Sequence, residues 1–175
     1  MFYGDLYGSF GPRRAAGRGP GTLELPAHHA AVAKLVLARR LYAYGAQTEY
    51  FADDPLCVGF TRRGRPGGGA GGPGLAVLMS AAACAETATA AERKAKVKTK
   101  RMHVGAEHAG ERWTDILATS WKGEKRCGCE DSGVDDSAVV IDEWGWATFS
   151  VGPRSVSVWV DAAAEGRDVL DGFEL

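Results

Sequence analysis

The chain has 175 residues, 45% of them hydrophobic, and its 21 basic and 22 acidic side chains leave a formal net charge of −1. That length suits one domain or a domain and a half, and that charge balance predicts no attraction to nucleic acid or to a membrane surface. No apolar run is long enough to span a bilayer, and the residues after Met1 do not read as a signal peptide. Glycine, with 24 residues, stands at roughly twice its usual share, whereas Asn is missing and Ile occurs only at 116 and 141. Such a skew fits GC-rich codon usage better than structural demand, so single Gly and Ala residues carry little weight.

In chain order, residues 1–8 read as a strand end entering a turn, and the Gly-, Pro- and Arg-rich residues 11–21 as a solvated loop. Residues 26–44 form a helical pattern without a breaker. Pro26 suits a first helical position, where its missing N–H has no partner to lose, and Gly45 suits the left-handed residue after a helix end. At about 100° per residue, Val32, Leu35, Val36, Leu37 and Leu41 spread around the helix, which therefore expects neighbours on several sides. Seven short strand candidates follow, over residues 57–61, 75–79, 100–104, 112–116, 138–141, 147–151 and 155–160. The last alternates cleanly, with Val156, Val158 and Val160 on one face. Several short strands separated by turns predict a mainly β chain, an antiparallel Greek-key β-sandwich preceded by one long helix. Residues 63–74 read as a Gly/Pro loop, and the basic residues 94–101, without interleaved aromatics, as solvated surface rather than a nucleic-acid patch.

The ordered segments carry a family resemblance. Phe2-Tyr-Gly-Asp-Leu-Tyr-Gly8 is followed by Ala38-Arg-Arg-Leu-Tyr-Ala-Tyr-Gly-Ala-Gln47, Tyr50-Phe-Ala-Asp-Asp-Pro55 and Val58-Gly-Phe-Thr-Arg62. Then come Gly74-Leu-Ala-Val-Leu78, Arg101-Met-His-Val-Gly105, Ala109-Gly-Glu-Arg-Trp-Thr-Asp-Ile116, Val139-Val-Ile-Asp-Glu-Trp-Gly-Trp146 and Ser155-Val-Ser-Val-Trp159. In this order they resemble the C-terminal portion of the liquefying-type α-amylases of bacteria and fungi, in glycoside hydrolase family 13. The resemblance implies that residues 1–45 are a remnant of a (β/α)8 barrel, with its eighth strand tip, a loop and its eighth helix. Residues 46–161 would be the C-terminal β domain, and residues 162–175 a tail. Residues 81–97 and 118–137 look like insertions. The chain then reads as a fragment whose partner is the missing barrel, and whose parent hydrolyses α-glucans such as starch. The helix, deprived of that barrel, is expected to be loosely attached, with a folded core starting near Ala46.

Retaining glycoside hydrolysis needs two carboxylates about 5 Å apart, one a nucleophile and one an acid/base. None of the family motifs that carry them occurs here. Asp5 matches an acid at the end of the eighth barrel strand, outside the catalytic trio, so the expectation is that no residue of this chain is catalytic. Cys127-Gly-Cys129, with no second pair at finger spacing, reads as loop thiols rather than a zinc site, and Cys57 and Cys84 add no ligand pattern. The resemblance implies a calcium ion in the full-length parent, held between barrel and β domain partly by acids of the loop containing Asp53 and Asp54. Those oxygens are compatible with calcium, but Ala81 stands where relatives supply a further acid. The loop alone reads as a polar turn and the chain as needing no cofactor. Five tryptophans, at 113, 121, 144, 146 and 159, could in principle stack on sugar rings. Trp144 and Trp146, two apart, share a face if they lie in a strand. They are the candidates for the alternative reading, a free-standing carbohydrate-binding or interaction domain.

Overall fold

A computed structural model describes residues 26–65, 72–83, 89, 92, 96–117 and 138–172. Residues 1–25 with Asp5, the insertion 118–137 with Trp121, Cys127 and Cys129, and Cys84 lie outside the described residues. The elements are α1 (Pro26–Tyr42), β1 (Gln47–Tyr50), β2 (Cys57–Arg62), β3 (Leu75–Ser80), β4 (Lys98–His103), a 3-10 turn (Ala106–His108), β5 (Arg112–Asp115), β6 (Ala138–Val140), β7 (Trp146–Val151), β8 (Val156–Asp161) and α2 (Arg167–Asp171). The protein is mainly β, and every strand pair is antiparallel. Six strands form one sheet in the order β1-β2-β3-β8-β5-β6, and β4 pairs with β7 in a separate ribbon.

The centre of the six-stranded sheet is apolar on both faces. Along β3, Ala76 and Leu78 point into a core shared with the β4–β7 ribbon, and Leu75 and Val77 point to the opposite side. In β8, Trp159 enters the first core, while Val158 and Val160 enter the second. A strand covered on both faces reads as a continuous apolar run, as Leu75-Ala-Val-Leu-Met79 does. The first core is built on rings. Phe149 lies 6.1 Å from Trp113 and 5.7 Å from Trp159 between centroids, both tilted toward edge-on contact. Each indole N–H keeps a partner: Trp113 Nε1 donates to Glu111 Oε2 at 2.8 Å and Trp159 Nε1 to Ser157 Oγ at 3.0 Å. Buried aromatic rings of this kind satisfy their polar atoms locally.

The second core is closed by the two helices. Ala38 and Tyr42 of α1 are buried against Leu75, Val77, Ile116, Val158 and Val160, with Leu170 of α2 beside them. The Tyr42 hydroxyl donates to the Glu165 carbonyl at 3.0 Å, which ties α1 to the turn before α2. The helix thus has a seat on the sheet. The seat covers one side. Val32, Leu35, Leu37 and Leu41 are half-buried, and Val36 is 49% exposed. Arg39 and Arg40 stand exposed in the last turn, where cations complement the helix dipole. At Gly45 the chain turns with φ +78°, and a Cβ there would overlap the Gly64 carbonyl, so the residue type is dictated by the close approach.

Candidate functional site

The loop between β1 and β2 carries Asp53 and Asp54, and β4 runs beneath it. Lys98 and Lys100, two apart on β4, share a face and both reach that loop. Lys98 Nζ lies 2.8 Å from Asp54 Oδ2, and Lys100 Nζ binds Asp53 Oδ1. The hydrogen bond from Lys100 holds the Asp53 carboxyl below the usual aspartate range, and that from Lys98 does the same for Asp54. Asp54 Oδ1 in turn accepts the Leu56 N–H at 2.9 Å, the local bond by which Asp builds a turn. The lysines, which the sequence assigns to solvated surface, are therefore structural partners. The Ala81 N–H donates to the Leu56 carbonyl at 2.9 Å, so that position neighbours the loop, and its side chain is a methyl group. Among the described residues no group of three His, Cys, Asp or Glu side chains converges on a point that could hold a metal. The donor set does not fit a calcium ion, because ammonium groups already occupy the carboxylates.

Trp144 and Trp146 sit at the turn from β6 to β7, not within one strand. Trp146 is the first residue of β7, and Trp144 belongs to the turn before it. The same-face argument for the pair therefore does not apply. Asp142 shapes the turn: its Oδ1 accepts the N–H of Trp144 at 2.9 Å and of Trp146 at 2.8 Å. The Trp146 N–H bond, then that of Trp144 and the Arg101 partner, keep the Asp142 carboxyl below its ordinary range. Gly145 follows with φ +80°, its carbonyl accepting the Val104 N–H at 2.8 Å. The Trp144 carbonyl lies 3.1 Å from His103 Nε2. A turn pinned from so many sides presents the Trp144 side chain outward, 68% exposed. Trp146 is half-buried under the Arg101 guanidinium, 5.1 Å from its ring centre, with His103 at 5.1 Å on a tilted approach. Trp113 and Trp159 are core residues.

One ionic group inside the fold has no signal in the sequence. His108 is fully buried, with Nδ1 2.9 Å from Glu111 Oε2 and Nε2 2.9 Å from the Arg63 carbonyl. A carbonyl oxygen only accepts, so Nε2 carries a proton. Burial works against charge on both groups. It is outweighed for His108 by the bonds to Glu111 and Arg63, which raise its pKa, and for Glu111 by the bonds from His108 and Trp113, which lower it. Both directions favour imidazolium against carboxylate, and the pair fastens the exit of β2 to the start of β5.

No family model matches the chain. It is 33% identical over 160 residues to the α-amylase of Bacillus licheniformis, a match that takes in 91% of this chain and 24% of that protein. It is 31% identical over 161 residues to the glucan 1,4-alpha-maltohexaosidase of Bacillus sp. (strain 707), covering 92% of this chain and 23% of that enzyme. It is also 31% identical over 160 residues to the cytoplasmic alpha-amylase of Escherichia coli (strain K12), covering 91% of this chain and 26% of that one. The chain is thus related to α-amylases over most of its own length, and spans a minor part of theirs.

Proposed function

We propose that this chain is the C-terminal part of an α-amylase of glycoside hydrolase family 13. It would comprise the last barrel helix and the β domain that packs beside the barrel, folded as a Greek-key sandwich. The observation that carries this reading is the match to α-amylases over 91% of the chain. The half-covered helix supports it. One side of α1 lies on the sheet, while Val36 faces solvent and Val32, Leu35 and Leu37 are only partly covered, as a helix awaiting barrel neighbours would be. The parent endo-hydrolyses α-1,4-glucosidic bonds of starch-like glucans, its catalytic carboxylates lie on earlier barrel strands, and this chain alone is inactive. Any calcium of the parent then depends on ligands outside this chain.

Two measurements test the reading. The purified chain should release no reducing sugar from starch above a blank. A chimera, in which this chain replaces the matching quarter of the Bacillus licheniformis α-amylase, should fold and hydrolyse starch. Turnover by the isolated chain that survives repurification, or a chimera that cannot fold, would overturn it.

A second reading, a free-standing glucan-binding domain, is favoured by the exposed Trp144 on a hydrogen-bonded turn. An exposed flat apolar face is what stacking on a sugar ring requires. We expect no saturable quenching of tryptophan fluorescence by millimolar maltoheptaose. Saturation that disappears in Trp144→Ala would put this reading ahead of the first.

A further inference from the structure

We propose that Lys98 and Lys100 stand in for a divalent cation, fixing the β1–β2 loop from within, so that the loop's order is independent of calcium. The carboxylates are already occupied. Asp54 uses Oδ1 for the Leu56 N–H and Oδ2 for Lys98, and Asp53 uses Oδ1 for Lys100. Two carboxylates meet two ammonium groups, so the cluster is neutral, and a divalent ion at the same carboxylates would be repelled by both ammonium groups. Hard cations need several oxygen ligands at once. The nearest candidate for a further oxygen, position 81, is an alanine whose N–H is bonded to the loop itself.

Lys100 is built into the fold rather than swung in from the surface. Its side chain is 2% exposed although its partner Asp53 is 67% exposed. The stem passes over Gly59 of β2, where a Cβ would stand 3.4 Å from Lys100 Cδ and 2.7 Å from Met102 Sδ. A side chain at Gly59 would collide with Met102, while the Lys100 stem lies at ordinary contact distance from that position. A long aliphatic stem can be buried in this way while its charged head reaches a partner at the rim. Lys98 reaches the same loop from the same face of β4, with 32% of its side chain exposed. The loop is tied to a strand of the opposite sheet by covalently anchored cations, which no chelator can remove. This inference rests on the contacts alone and does not depend on the parent's activity.

The test is the melting temperature of the full chain in millimolar calcium chloride and in excess EDTA. The native chain should melt at the same temperature in both. The double variant Lys98→Met/Lys100→Met, which keeps the stems and removes the charges, should melt several degrees lower in EDTA and recover part of that loss in calcium. Lys98→Arg/Lys100→Arg, which keeps the charges, should stay insensitive to calcium, and it decides the matter if the methionine variant does not fold. A calcium-induced rise in the native chain that is lost in Asp53→Asn/Asp54→Asn would overturn the proposal. So would a folded methionine variant as stable in EDTA as the native chain, or a calcium-responsive arginine variant.

Discussion

The pair of buried His108 and half-buried Glu111 sets a pH dependence with a definite sign. A histidine whose folded pKa is raised binds its proton more tightly in the native state. Its stabilisation is complete below the unfolded value of about 6.5 and disappears as pH rises through the folded value. Glu111, with its pKa lowered, contributes above the unfolded value of about 4.3 and loses that contribution as pH falls through the folded one. Native stability should therefore decline from pH 6.5 upward, and His108→Gln, which cannot titrate, should remove that decline. The substitution should also destabilise by about 1–3 kcal/mol at pH 6, because Glu111 loses the charged imidazole donor and keeps only that of Trp113. Thermal melts of both proteins between pH 6 and 9 provide the check. A native curve that stays flat while His108→Gln follows the same line would rule out the ionic form of the pair.

Among the elements, legibility in the sequence follows from how each one buries its residues. Most strands are readable from β-branched and aromatic residues, as in Val156-Ser-Val-Trp-Val160, and β3 from its apolar run, whereas β4 is half hidden because Lys98-Thr-Lys-Arg101 reads as solvated surface. β1 is not readable, since Gln47-Thr-Glu-Tyr50 carries no apolar alternation and, among the described residues, lies at the sheet edge paired with β2 alone. α2 spans five residues, too few to display a 3.6-residue period, and only the burial of Leu170 under α1 reveals its purpose. The candidate site divides in the same way. Asp53 and Asp54 are visible as a polar turn, but their lysines come from 44 or more positions later in the chain, as the separation of Asp53 from Lys100 by 47 illustrates. No local pattern announces such a pairing. The tryptophan pair fails for a local reason instead. The Asp142 carboxylate binds the N–H groups of Trp144 and Trp146 and makes a turn where simple alternation expects strand.

At the scale of the whole molecule, the six-stranded sheet separates two cores, and among the described residues one is closed by strands and the other by helices. The β4–β7 ribbon covers the face with Leu78, Trp113 and Trp159, whereas α1 and α2 cover the face with Leu75, Val77, Val158 and Val160. The sequence suggests that a chain starting near Ala46 would keep its stability, since α1 looks like a stray barrel helix. The packing argues otherwise. Removing α1 takes Tyr42 and Ala38 off that second face and leaves the turn before α2 without the Tyr42 hydroxyl. Covering an apolar side chain is worth about 1.5–3 kcal/mol, so partly uncovering four costs several kcal/mol in a fold whose total is on the order of 5–15 kcal/mol. We expect residues 46–175 to melt roughly 10 °C or more below the full chain and to bind a hydrophobic dye that the full chain does not. Calorimetry of the two chains side by side measures this directly. If the shorter chain melts within a few degrees of the longer one, α1 rests on the sheet without stabilising it, and the second core belongs to the strands and α2 alone.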